Sequence, residues 1–120
     1  MVKDIMTREE HIELARKSQD PEVLDRLSRD EDWLVRKGVA LNPGTPGDIL
    51  DRLSQDEHYG VRYRVAENPN TSITTLIEIS RDENSWVSSK VDENPKWQAL
   101  QDSGLLDVAI SVERWLLPNK

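Results

Sequence analysis

The 120-residue chain contains no cysteine. That absence excludes disulfides, thiolate metal sites, iron–sulfur clusters and cysteine nucleophiles, and it suits a cytoplasmic address. Long apolar runs are missing as well. No stretch approaches the roughly 20 residues of a membrane span, and Met1 to Met6 lack the apolar run of a signal peptide, which adds to the same expectation. Histidine is scarce: His11 and His58 stand 47 positions apart, without His-Glu-x-x-His or comparable ligand spacing. Neither a metal nor any other cofactor is expected.

A block of like charge is also absent. The formal net charge of −7 comes from 23 acids and 16 bases, and the excess is spread along the chain. Residues 21–46 hold five acids and four bases, 47–72 five and three, and 73–98 five and three. Nucleic-acid binding rests on Lys and Arg neutralising phosphates, so this distribution argues against a DNA or RNA partner. With 36% hydrophobic and 32% charged residues the chain has much polar surface, as an elongated single domain does.

What the sequence does have is a repeat. Asn-Pro occurs at Asn42-Pro43, Asn68-Pro69 and Asn94-Pro95, in steps of 26 residues. The same step relates Leu24, Leu50 and Leu76; Leu27, Leu53 and Ile79; Asp30, Asp56 and Asp82; Val35, Val61 and Val87; and Val39, Val65 and Val91. A period in this range means stacked supersecondary units that bury their apolar faces on one another. Each unit opens on a helix-start signal, Asp20-Pro21, Thr45-Pro46 or Thr71-Ser72. A short first helix follows, with apolar residues three and four apart: Val23, Leu24 and Leu27; Ile49, Leu50 and Leu53; Leu76, Ile77 and Ile79. After the break at Ser-x-Asp-Glu, whose acids can cap the next helix, a second helix places its two valines one turn apart. It must end at Asn-Pro, because proline drives the preceding residue out of the α region.

The alternative for such a period is a β horseshoe, but Leu50-Asp51-Arg52-Leu53-Ser54-Gln55 lacks the third leucine of that strand motif. The expected fold is therefore all-α: a solenoid of about three two-helix units over residues 21–98, with caps at 1–20 and 99–120. In the N-terminal half-unit, Thr7 and Glu10 form a capping box ahead of Ile12 and Leu14-Ala15. At the other end Gly104 closes a helix, and a capping helix over 105–117 carries the stripe Val108, Val112, Trp115 and Leu116 up to Pro118, with Trp115 covering the end of the stack. Trp97 has the same capping role.

Asp56-Glu57-His58-Tyr59-Gly60-Val61-Arg62-Tyr63-Arg64-Val65-Ala66-Glu67-Asn68-Pro69-Asn70-Thr71, echoed by Asp30 to Thr45, resembles the leucine-rich repeat variant family of bacteria. This likeness to a relative in style of HEAT and armadillo repeats covers roughly residues 10–98. The resemblance implies a right-handed superhelix, some of whose short helices are 3₁₀, and a tendency to bind proteins, but no reaction. The cysteine-rich cluster segment of some relatives has no counterpart here.

Catalytic chemistry finds no constellation. Ser28, Ser54 and Ser80 recur with the period as turn formers, Asp30-Glu31 and Asp56-Glu57 as helix-start acids, and Gly44 and Gly47 lack phosphate-loop spacing. No enzyme activity and no small-molecule substrate is expected. Arg36 and Arg62 follow the core valines, six residues after Asp30 and Asp56, and suit a structural Arg–Asp ladder. The competing reading is a basic stripe of Arg36, Lys37, Arg62, Arg64 and Lys90 facing phosphates. Positions two before and two after the first core valine lie about 200° around the helix from it. They hold Trp33 and Lys37, Tyr59 and Tyr63, then Ser85 and Ser89. Such rings either pack on a neighbouring helix or form an interface patch. Trp33, Lys37, Tyr59, Arg62 and Tyr63 are accordingly the candidate contacts for a protein or peptide. The other functions weighed are an acidic inhibitor or immunity-type protein that neutralises a basic partner, and a nucleic-acid-associated repeat protein.

Overall fold

The computed structural model describes residues 5–116. Among the described residues every regular element is helical, so the β-horseshoe alternative is excluded. In chain order the helices are α1 (Arg8–Lys17), α2 (Pro21–Leu27), α3 (Trp33–Leu41), α4 (Gly47–Leu53) and α5 (Tyr59–Glu67). They continue as α6 (Ile73–Ile79), α7 (Ser85–Lys90), α8 (Pro95–Ser103) and α9 (Leu106–Leu116), with a 3₁₀ turn at Val91–Glu93 extending α7. The second helices form a spine in which α1 packs on α3, α3 on α5 and α5 on α7. The molecule is long for its mass, 52 × 27 × 24 Å, the shape of a stacked α-solenoid.

Helices of six to nine residues are unstable alone, so the stack has to supply what propensity does not. It does so through one continuous core between the two rows. Leu24, Leu50 and Leu76 from the first helices meet Val35, Val39, Val61, Val65, Val87 and Val91 from the second, and all are buried. Each such side chain contributes about 1.5–3 kcal/mol relative to exposure. The second helices end as Asn-Pro requires, with Asn42, Asn68 and Asn94 as their C-caps.

The helix starts differ in detail from the sequence reading. Asp20 and Ser72 are side-chain caps, but Thr45 and Thr71 are not. Both threonines are buried, and their hydroxyls turn back to donate to the carbonyls of Val39 at 2.7 Å and Val65 at 2.6 Å. Those carbonyls belong to the last turns of α3 and α5, where each also accepts from the C-cap amide of Asn42 or Asn68 at 3.1 Å. The second helices are likewise capped two residues later than the Ser-x-Asp-Glu acids suggest. Asp32, His58 and Asn84 accept from the amides of Leu34, Gly60 and Trp86. Asp30, Asp56 and Asp82 instead accept from the amides of those three capping residues, which fixes the approach of the chain.

At the ends, the Thr7–Glu10 capping box forms, and Gly104 closes α8 in the left-handed region at φ 76°. Trp97 is buried in the core. Trp115 does not cover the stack: it is 79% exposed, and Val108, Val112 and Leu116 face solvent with it. α9 turns inward the side bearing Leu106, Ala109, Ile110 and Glu113, and Glu113 meets Arg81 at 3.3 Å. α9 packs on the stack through this side, and the stripe is left outside. The expected stop at Pro118 lies outside the described residues.

Candidate functional site

Two polar ladders run through the stack and define what is left free for binding. In the first, the Asn68 side-chain nitrogen donates to the carbonyls of Ala40 at 2.8 Å and Asn42 at 3.0 Å, and its oxygen accepts from the Asn70 amide at 2.8 Å. Asn94 repeats the pattern with Ala66, Asn68 and Lys96, and Asn42 with Ala15, Ser18 and Gly44. Each buried asparagine therefore staples its unit to the one before it. Sequence reasoning saw only the helix stop before proline. The signal it passed over was that asparagine recurs where any residue can precede proline.

The second ladder is the Arg–Asp ladder. Arg36 donates to the Asp56 carboxylate at 2.7 and 3.1 Å and to the Asp30 main-chain carbonyl at 2.8 Å. Arg62 does the same one unit later, to Asp82 at 2.7 and 3.2 Å and to the Asp56 carbonyl at 2.8 Å. These bidentate pairs are almost wholly shielded, so both guanidinium groups are committed to structure. Arg62 thus stands apart from the other candidate contacts, and the supposed basic stripe loses Arg36 and Arg62.

The remaining candidates come together. Trp33 and Lys37 on α3, and Tyr59 and Tyr63 on α5, line one open groove of about 670 Å³ with His58, Gly60, Arg64, Asn84 and Trp86. Trp33 and Tyr63 have a double situation, half-buried with their inner edges against the core and their outer edges in the groove. Tyr59 at 53% and Trp86 at 73% are exposed. The His58 ring stacks on Trp33 at a centroid distance of 3.7 Å and lies 5.2 Å from Tyr59, which makes a continuous aromatic ledge. Gly60 allows this: a Cβ there would stand 3.0 Å from the Trp33 ring.

Cations sit over these rings. Lys37 lies 5.8 Å from the Trp33 centroid, and Arg64 and Lys90 each lie 5.2 Å from Tyr63. Glu67 links the last two, at 2.6 Å from Arg64 and 3.3 Å from Lys90. Hydrogen bonds, first to Glu93 and then to Tyr63 and Glu67, hold the Lys90 ammonium above the ordinary lysine range, so it stays charged. A second hollow of about 350 Å³, lined by Tyr63, Ser85, Trp86, Ser89, Lys90 and Glu93, shares Tyr63 and Trp86 with the first and extends it along α7.

A family model described as leucine rich repeat variant matches residues 33–58. The matched segment is similar to a leucine rich repeat variant unit. No curated protein and no solved structure matches the chain. The matched segment runs from the first residue of α3 to the cap of α5, and so contains Trp33, Lys37 and His58 of the groove. Its neighbour one period on supplies Tyr59, Tyr63 and Arg64. Trp86 and His58 were not among the candidate contacts. Trp86 aligns with Gly60 one period earlier, and a large ring in register with a glycine is the signal that sequence reading could have used. His58 reads as a solvated first-turn residue until its equivalence to the capping residues Asp32 and Asn84 is taken literally. Among the described residues, no three His, Asp or Glu side chains are grouped to hold a metal ion, and no helix is long and apolar enough to cross a membrane.

Proposed function

We propose that the chain is a non-enzymatic protein-interaction module that holds a protein or peptide partner in the aromatic groove along α3, α5 and α7. The observation that carries this reading is the convergence of four rings on one open groove, Tyr59 and Trp86 exposed and Trp33 and Tyr63 half-buried against the core. Tryptophan and tyrosine dominate interface hot spots because they bury large rigid surfaces at low entropic cost. The leucine rich repeat variant match supports the same reading, since stacked helical repeats present regular, extended binding surfaces.

The test is a selection of displayed random peptides on the full chain, followed by titration of the best synthetic binders. Trp86→Ala and Tyr59→Ala remove exposed rings, so each should leave the thermal midpoint nearly unchanged. Each should also weaken binding by about 1–4 kcal/mol. Binders insensitive to both substitutions would place the interaction surface elsewhere.

A further inference from the structure

We infer that the occupant of the groove is an extended acidic peptide segment, with carboxylates at about every third residue and apolar side chains between them. This rests on the groove being the binding surface, as proposed above, and adds the chemistry of the partner.

Three observations combine. First, each of three successive second helices contributes one cation beside a ring: Lys37 on α3, Arg64 on α5 and Lys90 on α7. Second, the larger hollow has Lys37, Arg64 and His58 in its lining but, among the described residues, no Asp or Glu, although the chain as a whole carries −7. The acids gather elsewhere. Asp48, Asp51 and Glu78, with Arg52 among them, surround a separate hollow along the first helices. Third, Glu67 and Glu93 balance Arg64 and Lys90, with Lys90 nearly shielded, so the uncompensated charge of the groove is that of Lys37, beside the partly exposed Arg64. Among the described residues no salt bridge involves Lys37, whose ammonium rests on the Trp33 ring.

The spacing follows from packing geometry. Neighbouring packed helices lie about 8–10 Å apart. A chain extended in the polyproline II form advances about 3.1 Å per residue and returns every third side chain to the same face, so cations on neighbouring helices match side chains about three residues apart. Lys37 and Arg64 keep donors free on the outer side of their rings, where a carboxylate makes a charge-assisted hydrogen bond, whereas the three donors of Lys90 are taken by Glu93, Tyr63 and Glu67. The exposed faces of Tyr59 and Trp86 then take the apolar side chains between the acids. A nucleic acid suits the groove less well. Its phosphates require a longer run of uncompensated cations than Lys37 and Arg64 supply.

The experiment continues the selection on the full chain, with random dodecapeptides on phage and a randomised single-stranded RNA pool as competitor. The expected result is enrichment of Asp and Glu at intervals of three. The best synthetic peptide should lose about tenfold or more in affinity when its acids become amides, or when the protein carries Lys37→Glu or Arg64→Glu. Lys37→Gln, with circular dichroism of each variant, guards against a folding defect. Binders that Trp86→Ala abolishes but that show no acidic preference would overturn the partner chemistry and leave the groove intact. Binders indifferent to Trp86→Ala and Tyr59→Ala would overturn both. Failure to select any peptide, or displacement of the peptide by the RNA pool, would overturn the inference.

Discussion

The side-chain amide of Asn68 donates to the main-chain carbonyl of Asn42, its own equivalent one unit earlier, at 3.0 Å. Each asparagine is thus both a staple and the acceptor for the next, which makes the ladder continuous along the stack. Asn68 is 3% exposed, and so has no access to replacement water. Asn68→Ala leaves the Ala40 and Asn42 carbonyls and the Asn70 amide short of a partner, and should cost about 2–4 kcal/mol in urea unfolding. Asn68→Asp should cost more at neutral pH, because a carboxylate facing two carbonyls cannot donate. Equal midpoints for wild type and Asn68→Ala would show the ladder to be dispensable.

Arg62 is expected to behave as a structural residue. Arg62→Ala strands the shielded Asp82 carboxylate, and breaking a buried pair of this kind typically costs about 3–5 kcal/mol. Any peptide that binds the folded Arg62→Ala variant should do so with wild-type affinity. A stable Arg62→Ala protein with weakened binding would return Arg62 to the contact surface.

Two tryptophans near the C-terminal end should separate cleanly by thermal denaturation. Trp97 is buried in the core, so Trp97→Ala should cost about 3–5 kcal/mol. Trp115 is exposed, and Trp115→Ala should leave the midpoint nearly unchanged. A large loss from Trp115→Ala would mean that this ring does cover the end of the stack.

Acid stability should depend on Asp32. The Arg8 guanidinium, hydrogen-bonded to it, is the main cause that holds its carboxyl below the ordinary aspartate value of 3.8, helped by the Leu34 amide. A depressed carboxyl stabilises the fold fully above that value, and the contribution fades as pH falls through the folded-state pKa. Asp32→Asn keeps the helix cap, as Asn84 does in the third unit, but removes this titration. Its stability should therefore vary less than wild type between pH 5 and pH 2, roughly the window in which carboxylates titrate. Parallel acid-unfolding curves would remove Asp32 from the account.

Gly60 controls the groove without lining it by a side chain. Gly60→Ala gains helix propensity of about 0.5–1 kcal/mol but pushes its Cβ against the Trp33 ring and His58. Stability should change little while the Trp33–His58 stack shifts, visible as altered His58 ring-proton resonances and weaker peptide binding. Unchanged resonances would show that the ledge tolerates a methyl group.

The sequence by itself determined the period, the two helices per unit and the buried valines and leucines, and it suggested an Arg–Asp ladder without its cross-unit partners. These are repeated choices of residue type, and repetition at a fixed step leaves one consistent arrangement. Four candidate contacts, Trp33, Lys37, Tyr59 and Tyr63, follow from helical geometry within a unit and do share a groove. Only tertiary structure decided the rest, because the deciding partners lie in other units. Asn42, Asn68 and Asn94 look like helix stops until the carbonyls of the preceding unit stand beside them. Arg62 looks available until Asp82, 20 residues away, closes on it. Trp86 reaches the groove from a helix face that single-helix geometry places elsewhere. The amphipathic stripe of α9 does exist, yet it lies outward, because α9 packs on the stack through Leu106, Ala109 and Ile110, the side that also brings Glu113 to Arg81.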